Sequence, residues 1–338
     1  MRPTIPVLLL LALPASGKSE TRKCLKMIQT QEPEKFSKLG IGETVDLDDF
    51  PYVDFMRLID EVCSDLDQPS IFFDGSNGGF VDPLIWLLLI HLLNEDFEDI
   101  IKPRPQLTQL EAVFDMFDRI DRAGQKVGFE SGLTDLSDGR RQTLAEAIVI
   151  MVNDQNFKGM SAAKKLVREP YYWRVDSLEG RTVVIEFSRG VPKGSPATPF
   201  FPFGYRHSLA MFSNEILATA CVLYIKVTLE DSIRKDAERA TPPEGCEDST
   251  MYHGLPRAVR EGSYWGDDFD DLRQGDDFLY FEDCNETKTA LPVAIFDNTG
   301  SGCTDIFRLP SEEWTAEATA EAAAKLVAAF AELTGLTS

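Results

Sequence analysis

The chain has 338 residues and a formal charge of −22, with 56 Asp and Glu against 34 Lys and Arg. A surface of that sign repels phosphate backbones, which argues against a nucleic-acid partner, and the apolar run "LIWLLLIHLL" at residues 84–93 is far shorter than a membrane span, which argues against a membrane protein. Six scattered cysteines with no CxxC and no zinc spacing read as reduced core thiols, Cys246 and His253 lacking anything nearby to complete a metal site, and the length predicts one large domain with insertions or two domains.

The first element is "IPVLLLLAL" at residues 5–13. Behind Met1 and Arg2 such a run can begin a secretory leader. Its basic region is a single Arg, however, and the best cleavage point would fall inside the residues that follow. Read instead as a strand buried on both faces, it runs into Ala12-Leu13-Pro14-Ala15-Ser16-Gly17-Lys18-Ser19 and then into a helix. That order, strand, loop and helix, is the setting of a Walker A phosphate loop. Successive N–H groups of such a loop make an anion cradle, and the helix N-terminus adds its dipole. Lys18 would reach the β- and γ-phosphates, and the Ser19 hydroxyl would ligate Mg²⁺. Ala12 stands where the pattern has its first Gly.

Residues 43–52, "ETVDLDDFPY", read as a short strand ending in the carboxylates Asp46, Asp48 and Asp49, with a helix after it. Residues 69–83 read as a short apolar strand with Asp74 at its end, followed by a Gly-rich turn. Apolar spacing of three and four then predicts helices over residues 84–95, 106–122, 140–157 and 160–168. At residues 181–190, "RTVVIEFSRG", a buried strand carries Glu186 at its end, with Arg189 just beyond. A Pro/Gly-rich loop over 191–204 precedes a helix at 205–220 and a strand at 221–227. Thr228 with Asp231 is a capping-box-like start to the helix that carries Arg234, Lys235 and Arg239. Residues 241–290 are loop-rich and acidic, 291–298 form a last strand ending at Asp297-Asn298, and 311–333 form an Ala-rich helix capped by Ser311. Alternating strands and helices mean a parallel sheet covered on both faces, with ligands at the carboxyl ends of its strands.

In separated pieces, over about residues 1–52, 181–240 and 291–300, the chain resembles the P-loop kinase family of nucleoside, nucleotide and small-molecule kinases. "LPASGKSE" resembles their phosphate loop. "VDLDDFPY" resembles the second-strand stretch of uridine-kinase-like enzymes, whose Asp sits by the acceptor hydroxyl. "VVIEFSRG" resembles the third-strand acidic motif that precedes a substrate arginine in deoxynucleoside-kinase-like enzymes. "LYIKVTLEDSIRKDAERA" resembles the fourth strand and lid helix, whose basic residues hold phosphates. "PVAIFDN" resembles the strand before the loop that holds the nucleotide base. There is neither an Asn-Lys-x-Asp guanine motif nor an ABC-transporter signature.

The expectation is therefore an α/β P-loop NTPase fold with a five-stranded parallel sheet. Its core spans residues 1–52 and 181–338, a helical insertion over 53–180 forms a substrate or cap region, and a lid covers about 234–290. The resemblance implies a cytoplasmic enzyme that transfers phosphate from ATP, with Mg²⁺, to a small-molecule hydroxyl or phosphate. Pro14, Ala15, Ser16, Gly17, Lys18, Ser19 and Asn298 would hold the nucleotide. Ser19 and Glu186 would hold the metal, Asp49 (or Asp48, or Glu186) would act as base, and Arg189, Arg234 and Arg239 would offset transferring charge. Each has a plainer alternative: an N-cap for Asp48 or Asp49, an ion pair between Arg189 and Glu186, a solvated helix face for Arg234 and Arg239. The rival function is a P-loop ATPase that switches a protein partner through the insertion. Oligomeric state is not specified by these patterns.

Overall fold

Five apolar residues, Val7–Leu11, form β1, and every one is buried. The computed structural model describes residues 4–75, 78–133, 136–196, 199–240, 254–275, 277–283, 285–300 and 302–337. β1 lies between two parallel neighbours, β3 (Arg181–Phe187) and β4 (Ala220–Lys226), with Val7 opposite both Val183 and Ala220. β2 (Glu43–Asp48) runs parallel outside β3, and β6 (Lys288–Asp297) parallel outside β4. β5 (Phe278–Glu282) closes the other edge antiparallel to β6, so the order is β2-β3-β1-β4-β6-β5. The fold is thus α/β with a mixed, mostly parallel sheet of six strands rather than five. The N-terminal apolar run is its middle strand, and removing that run would take the centre out of the sheet.

Period-two alternation sorts the strands into two cores. Val7, Leu9, Leu11, Ile185 and Val222 face one side, where they join Phe55, Leu88, Phe117 and Ile148 in a single cluster. Those partners come from α3 (Phe50–Asp65), α4 (Ile85–Asp99), α5 (Gln109–Val127) and α6 (Asp138–Asn153), the expected helical insertion together with α7 (Ser161–Arg168). The insertion therefore shares the sheet's core. Leu8, Leu10, Val184, Leu223 and Phe296 face the other side, against Leu25 and Ile28 of α1 (Lys18–Gln31) and Leu326 and Phe330 of the C-terminal helix, Ala316–Leu336. Each fully buried Leu stabilises the fold by roughly 1.5–3 kcal/mol.

Several boundaries differ from the periodic reading. The expected strand near residue 73 is reduced to one bridge, Phe73 with Phe80, because the turn residues between them allow no ladder; Asp74 is exposed. The helix expected at 205–220 breaks into Gly204–Ala210 and Asn214–Leu217, the second capped by the Ser213 hydroxyl. The C-terminal helix is capped by Thr315 rather than Ser311, which lies in a separate 3-10 turn. Within the segment read as a loop-rich lid, residues 254–290 hold β5 and two short helices, Arg257–Ser263 and Phe269–Arg273. Residues 241–253, with Cys246 and His253, fall outside the described residues, as does Cys284. Cys24, Cys63, Cys221 and Cys303 are free thiols, the first three buried. Among the described residues no helix is long and apolar enough to cross a membrane.

Candidate functional site

The loop between β1 and α1 has its carbonyls turned outward and held. Tyr205 Oη donates to the Ala12 carbonyl at 2.9 Å and accepts from its N–H at 2.8 Å. Ser232 Oγ donates to the Pro14 carbonyl at 2.8 Å, and Asn298 Nδ2 donates to the Ser16 carbonyl at 2.7 Å. Thr21 covers the Gly17 carbonyl with its N–H and hydroxyl, both at 2.8 Å. The N–H groups of Ala15, Ser16, Gly17, Lys18 and Ser19, by contrast, donate to no protein acceptor among the described residues. Ala15 at φ 57° and Gly17 at φ 99° supply the left-handed turns this needs. A run of free N–H groups at a helix N-terminus, with the carbonyls engaged elsewhere, is an anion cradle.

Around it stand three carboxylates. Asp48 and Glu186 are register partners on β2 and β3, so their side chains emerge on the same side of the sheet. Arg22, one helical turn after Lys18, places Nε 3.1 Å from Glu186 Oε2 and Nη1 3.4 Å from Asp46; the Glu186 contact is an ion pair without hydrogen-bond alignment. Asp48 Oδ1 accepts the Phe50 N–H at 2.9 Å, while its Oδ2 accepts no hydrogen bond among the described residues. Burial, then the charge of Glu186, pushes the Asp48 carboxyl up to about 8, against the pull of Arg22. Burial also raises Asp49, against Arg189. Lys18 is lowered by burial, which outweighs Glu186, Asp48 and Asp49. Its ammonium donates to Ser188 Oγ at 2.5 Å. Arg22 is raised although its burial lowers it, because Glu186, Asp46, Asp48 and Tyr172 together pull the other way.

Lys18, Arg22, Asp48, Asp49, Glu186 and Ser188 line one cavity of about 400 Å³. Around the β1–α1 loop it is lined by Pro14 through Ser19, Arg22, Glu186 and Arg239. Asp48, Asp49 and Ser188 line the same cavity, as do Val53, Phe80, Trp86 and Tyr264. The Ser19 hydroxyl lines the cavity without a partner among the described residues. The described residues contain no cluster of three or more His, Cys, Asp or Glu that would hold a metal by itself. Mg²⁺ needs no such cluster, because it takes one or two protein oxygens and completes its shell with water and phosphate. Ser19, with Glu186 or Asp48, fits that requirement.

Of the residues singled out from the sequence, Pro14, Ala15, Ser16, Gly17, Lys18, Ser19, Asp49, Glu186 and Arg239 line this cavity. Arg189 pairs with Asp49 rather than with Glu186. Arg234 lies on the outer face of its helix, Leu229–Arg239, bound to Glu238 and the Gly300 carbonyl. Asn298 is buried behind the loop, its amide spent on Ser16 and Thr304, so it shapes the cradle and cannot also read a base. His207 is part-buried beside the Pro199 carbonyl. Arg22, Ser188, Tyr205, Trp86 and Tyr264 were not singled out. Arg22 alone carries a local signal, its position four residues after Lys18 on one helix face; the others arrive through tertiary packing.

Comparison with protein-family models, curated proteins and solved structures finds no match to this chain.

Proposed function

We propose that the protein is a P-loop kinase-like enzyme that transfers phosphate from ATP, with Mg²⁺, to a small-molecule acceptor. The observation that carries this reading is the outward-held, inward-free backbone of residues 12–19, opening into the same cavity as Asp48, Asp49 and Glu186. The strand order, with β1 central and the loop at its carboxyl end, supports a P-loop NTPase fold for the core.

Catalysis would rest on positioning and charge neutralisation. The free N–H groups and Lys18 hold phosphate oxygens, and Lys18 leaves Ser188 to do so. Mg²⁺, when bound, would supply positive charge to offset that of the phosphates. Ser19 and Glu186 would hold it, with Arg22 orienting the Glu186 carboxylate. Asp49 lines the cavity with Arg189 fixing one of its oxygens, which suits it to take the acceptor hydroxyl proton through the other. Arg239 offsets charge at the phosphate end. The apolar and aromatic side chains Val53, Phe80, Trp86 and Tyr264 that line the same cavity as the loop favour a small-molecule acceptor over a protein partner.

The test is a transfer screen with labelled ATP against nucleosides, sugars and amino-acid-like alcohols, with and without Mg²⁺. A Mg²⁺-dependent labelled product supports the reading. Hydrolysis of ATP with no product from any acceptor favours the ATPase switch.

A further inference from the structure

Pro14 and Ala15 share one planar peptide, so the Pro14 carbonyl and the Ala15 N–H point in opposite directions and turn together. Ala15 stands at φ 57°, and its N–H is one of those that donate to no protein acceptor among the described residues. Whatever holds the Pro14 carbonyl outward therefore holds that N–H inward. If the peptide flips, a carbonyl oxygen faces the anion in place of a donor. The holder is Ser232, whose hydroxyl donates to the Pro14 carbonyl at 2.8 Å from the helix Leu229–Arg239. Asp236 lies one turn further along the same face, and both side chains are buried.

Beyond them is Arg260, on the helix Arg257–Ser263 and 7% exposed. Its guanidinium forks. Nη1 approaches Ser232 Oγ at 3.5 Å, a long contact made to the hydroxyl's lone pairs, which leaves the hydroxyl proton for Pro14. Nη2 donates to Asp236 Oδ2 at 2.5 Å, and the same oxygen accepts the Leu255 N–H at 2.9 Å. Asp236 and Leu255 line the cavity, whereas Ser232 and Arg260 do not.

We infer that Ser232 and Arg260 are positioning residues for the loop at residues 12–19: Arg260 orients the Ser232 hydroxyl, and Ser232 fixes the Pro14–Ala15 peptide. The loop's affinity for polyphosphate then depends on two side chains that no ligand in the cavity touches. This rests on reading the loop as an anion cradle, and on neither the acceptor nor the transfer step. A guanidinium fork serves two partners in fixed directions, whereas an ammonium is a single point charge. Arg260→Lys therefore keeps a charge for Asp236 and gives up the contact with Ser232.

The experiment measures binding of ATP and of inorganic triphosphate, each with Mg²⁺, to the full chain by calorimetry. It is run at a temperature where every variant is folded, so that a merely structural loss of stability leaves both affinities unchanged. Ser232→Ala is expected to weaken both probes by about fivefold or more, the equivalent of one net hydrogen bond. Arg260→Lys is expected to weaken both by about threefold or more. The double variant should bind no more weakly than Ser232→Ala alone, because Arg260 acts through Ser232. Ser232→Cys, whose thiol is only a weak donor, repeats the first arm should Ser232→Ala fail to fold. If the parent binds and either folded single variant keeps its full affinity, or if the two losses add in the double variant, the inference is overturned and the phosphate-loop reading stands. A parent that binds neither probe overturns both.

Discussion

Arg189 Nη1 donates to Asp49 Oδ2 at 2.6 Å, from a guanidinium 2% exposed. The pair joins the residue after β2 to the loop after β3, so the β2–β3 register and this contact hold the same corner of the cavity. Removing one member of a buried pair costs about 3–5 kcal/mol, because the other is left charged without a partner. We expect Arg189→Met to lose about that much near pH 8. The loss should shrink near pH 5, where the unpaired Asp49 carboxyl, already raised by burial, takes up a proton. Denaturant titrations at both pH values check it; an equal loss at both would show that the pair carries little charge.

Gly17 is a second point at which backbone and function meet. A Cβ there would stand 2.6 Å from Thr304 Oγ1 and 2.7 Å from Asn298 Nδ2, both fixed by hydrogen bonds to each other, and φ is +99°. Left-handed backbone alone costs a residue with a Cβ about 1–2 kcal/mol. Gly17→Ala should therefore destabilise the protein by about 2 kcal/mol or more and abolish stabilisation by Mg·ATP. Lys18→Ala should abolish that stabilisation while keeping the fold; in the parent it amounts to about 2.7 kcal/mol at 100 times Kd. Ala12→Gly, whose N–H and carbonyl stay tied to Tyr205, should cost at most about 1 kcal/mol and leave nucleotide affinity intact. Thermal shifts with and without Mg·ATP decide all three, and a normal shift in Lys18→Ala would remove the phosphate-loop assignment.

These two corners differ in how far they could be read from the chain. The loop was legible because its demands are local: a buried strand, a small-residue turn and a helix start are contiguous in residues 5–31. Strand ends were legible too, since a carboxylate after an apolar run marks where burial stops, and Asp48 and Glu186 do become neighbours. Pairing was not. Which cation meets which carboxylate depends on how the strand order brings β2 beside β3 and on which side of β1 each helix packs, and no periodicity records that. Arg189 was expected to offset transferring charge, with a pair to Glu186 as the plainer alternative, and meets Asp49; Asn298 was expected toward a ligand and instead braces Ser16. The aromatic lining of the cavity was hidden for the same reason, its rings coming from positions 73, 80, 86 and 264. The sixth strand was missed because "FLYFE" lies in an acidic stretch whose composition reads as loop.

Several buried carboxyls are raised: Asp48 to about 8, and Asp54, Asp96 and Asp267 to about 6, each chiefly by burial. A raised carboxyl keeps its proton in the folded chain where the unfolded chain has lost it. Between the unfolded value near 4 and the folded value, stability therefore falls as pH rises. The ligand-free protein should be more stable at pH 5 than at pH 8.5, with most of the decline above pH 7 belonging to Asp48. Asp48→Asn should flatten that upper limb and lessen, without removing, the decline between pH 4 and 6, to which Asp54, Asp96 and Asp267 also contribute. Urea midpoints across pH 4–9 measure both limbs; an unchanged slope above pH 7 in the variant would reassign it.

The three carboxylates at the strand ends should fail in different ways when neutralised. Asp49 has one oxygen held by Arg189, whose guanidinium lies 5.2 Å from the Trp86 ring, whereas Glu186 and Asp48 face Arg22 and Lys18. A base acts only during the chemical step. Asp49→Asn should therefore leave Mg·ATP binding nearly unchanged and lower kcat by about 10²–10⁴-fold. A carboxylate that organises the metal works before chemistry, so Glu186→Gln should raise the Mg²⁺ concentration needed for half-maximal turnover. It should also release Arg22 from one of its two partners, while Asp46 keeps the other. Asp48→Asn removes a group protonated below pH 8 in the ligand-free protein, and should alter turnover least at pH 6 and most above pH 8. Single-turnover rates and Mg²⁺ titrations on the three variants separate these patterns. Full turnover in both Asp49→Asn and Glu186→Gln would place the chemistry elsewhere in the cavity. A kcat loss in Glu186→Gln with no change in metal dependence would exchange the two roles, making Glu186 the base and leaving Asp49 to Arg189 as a structural pair.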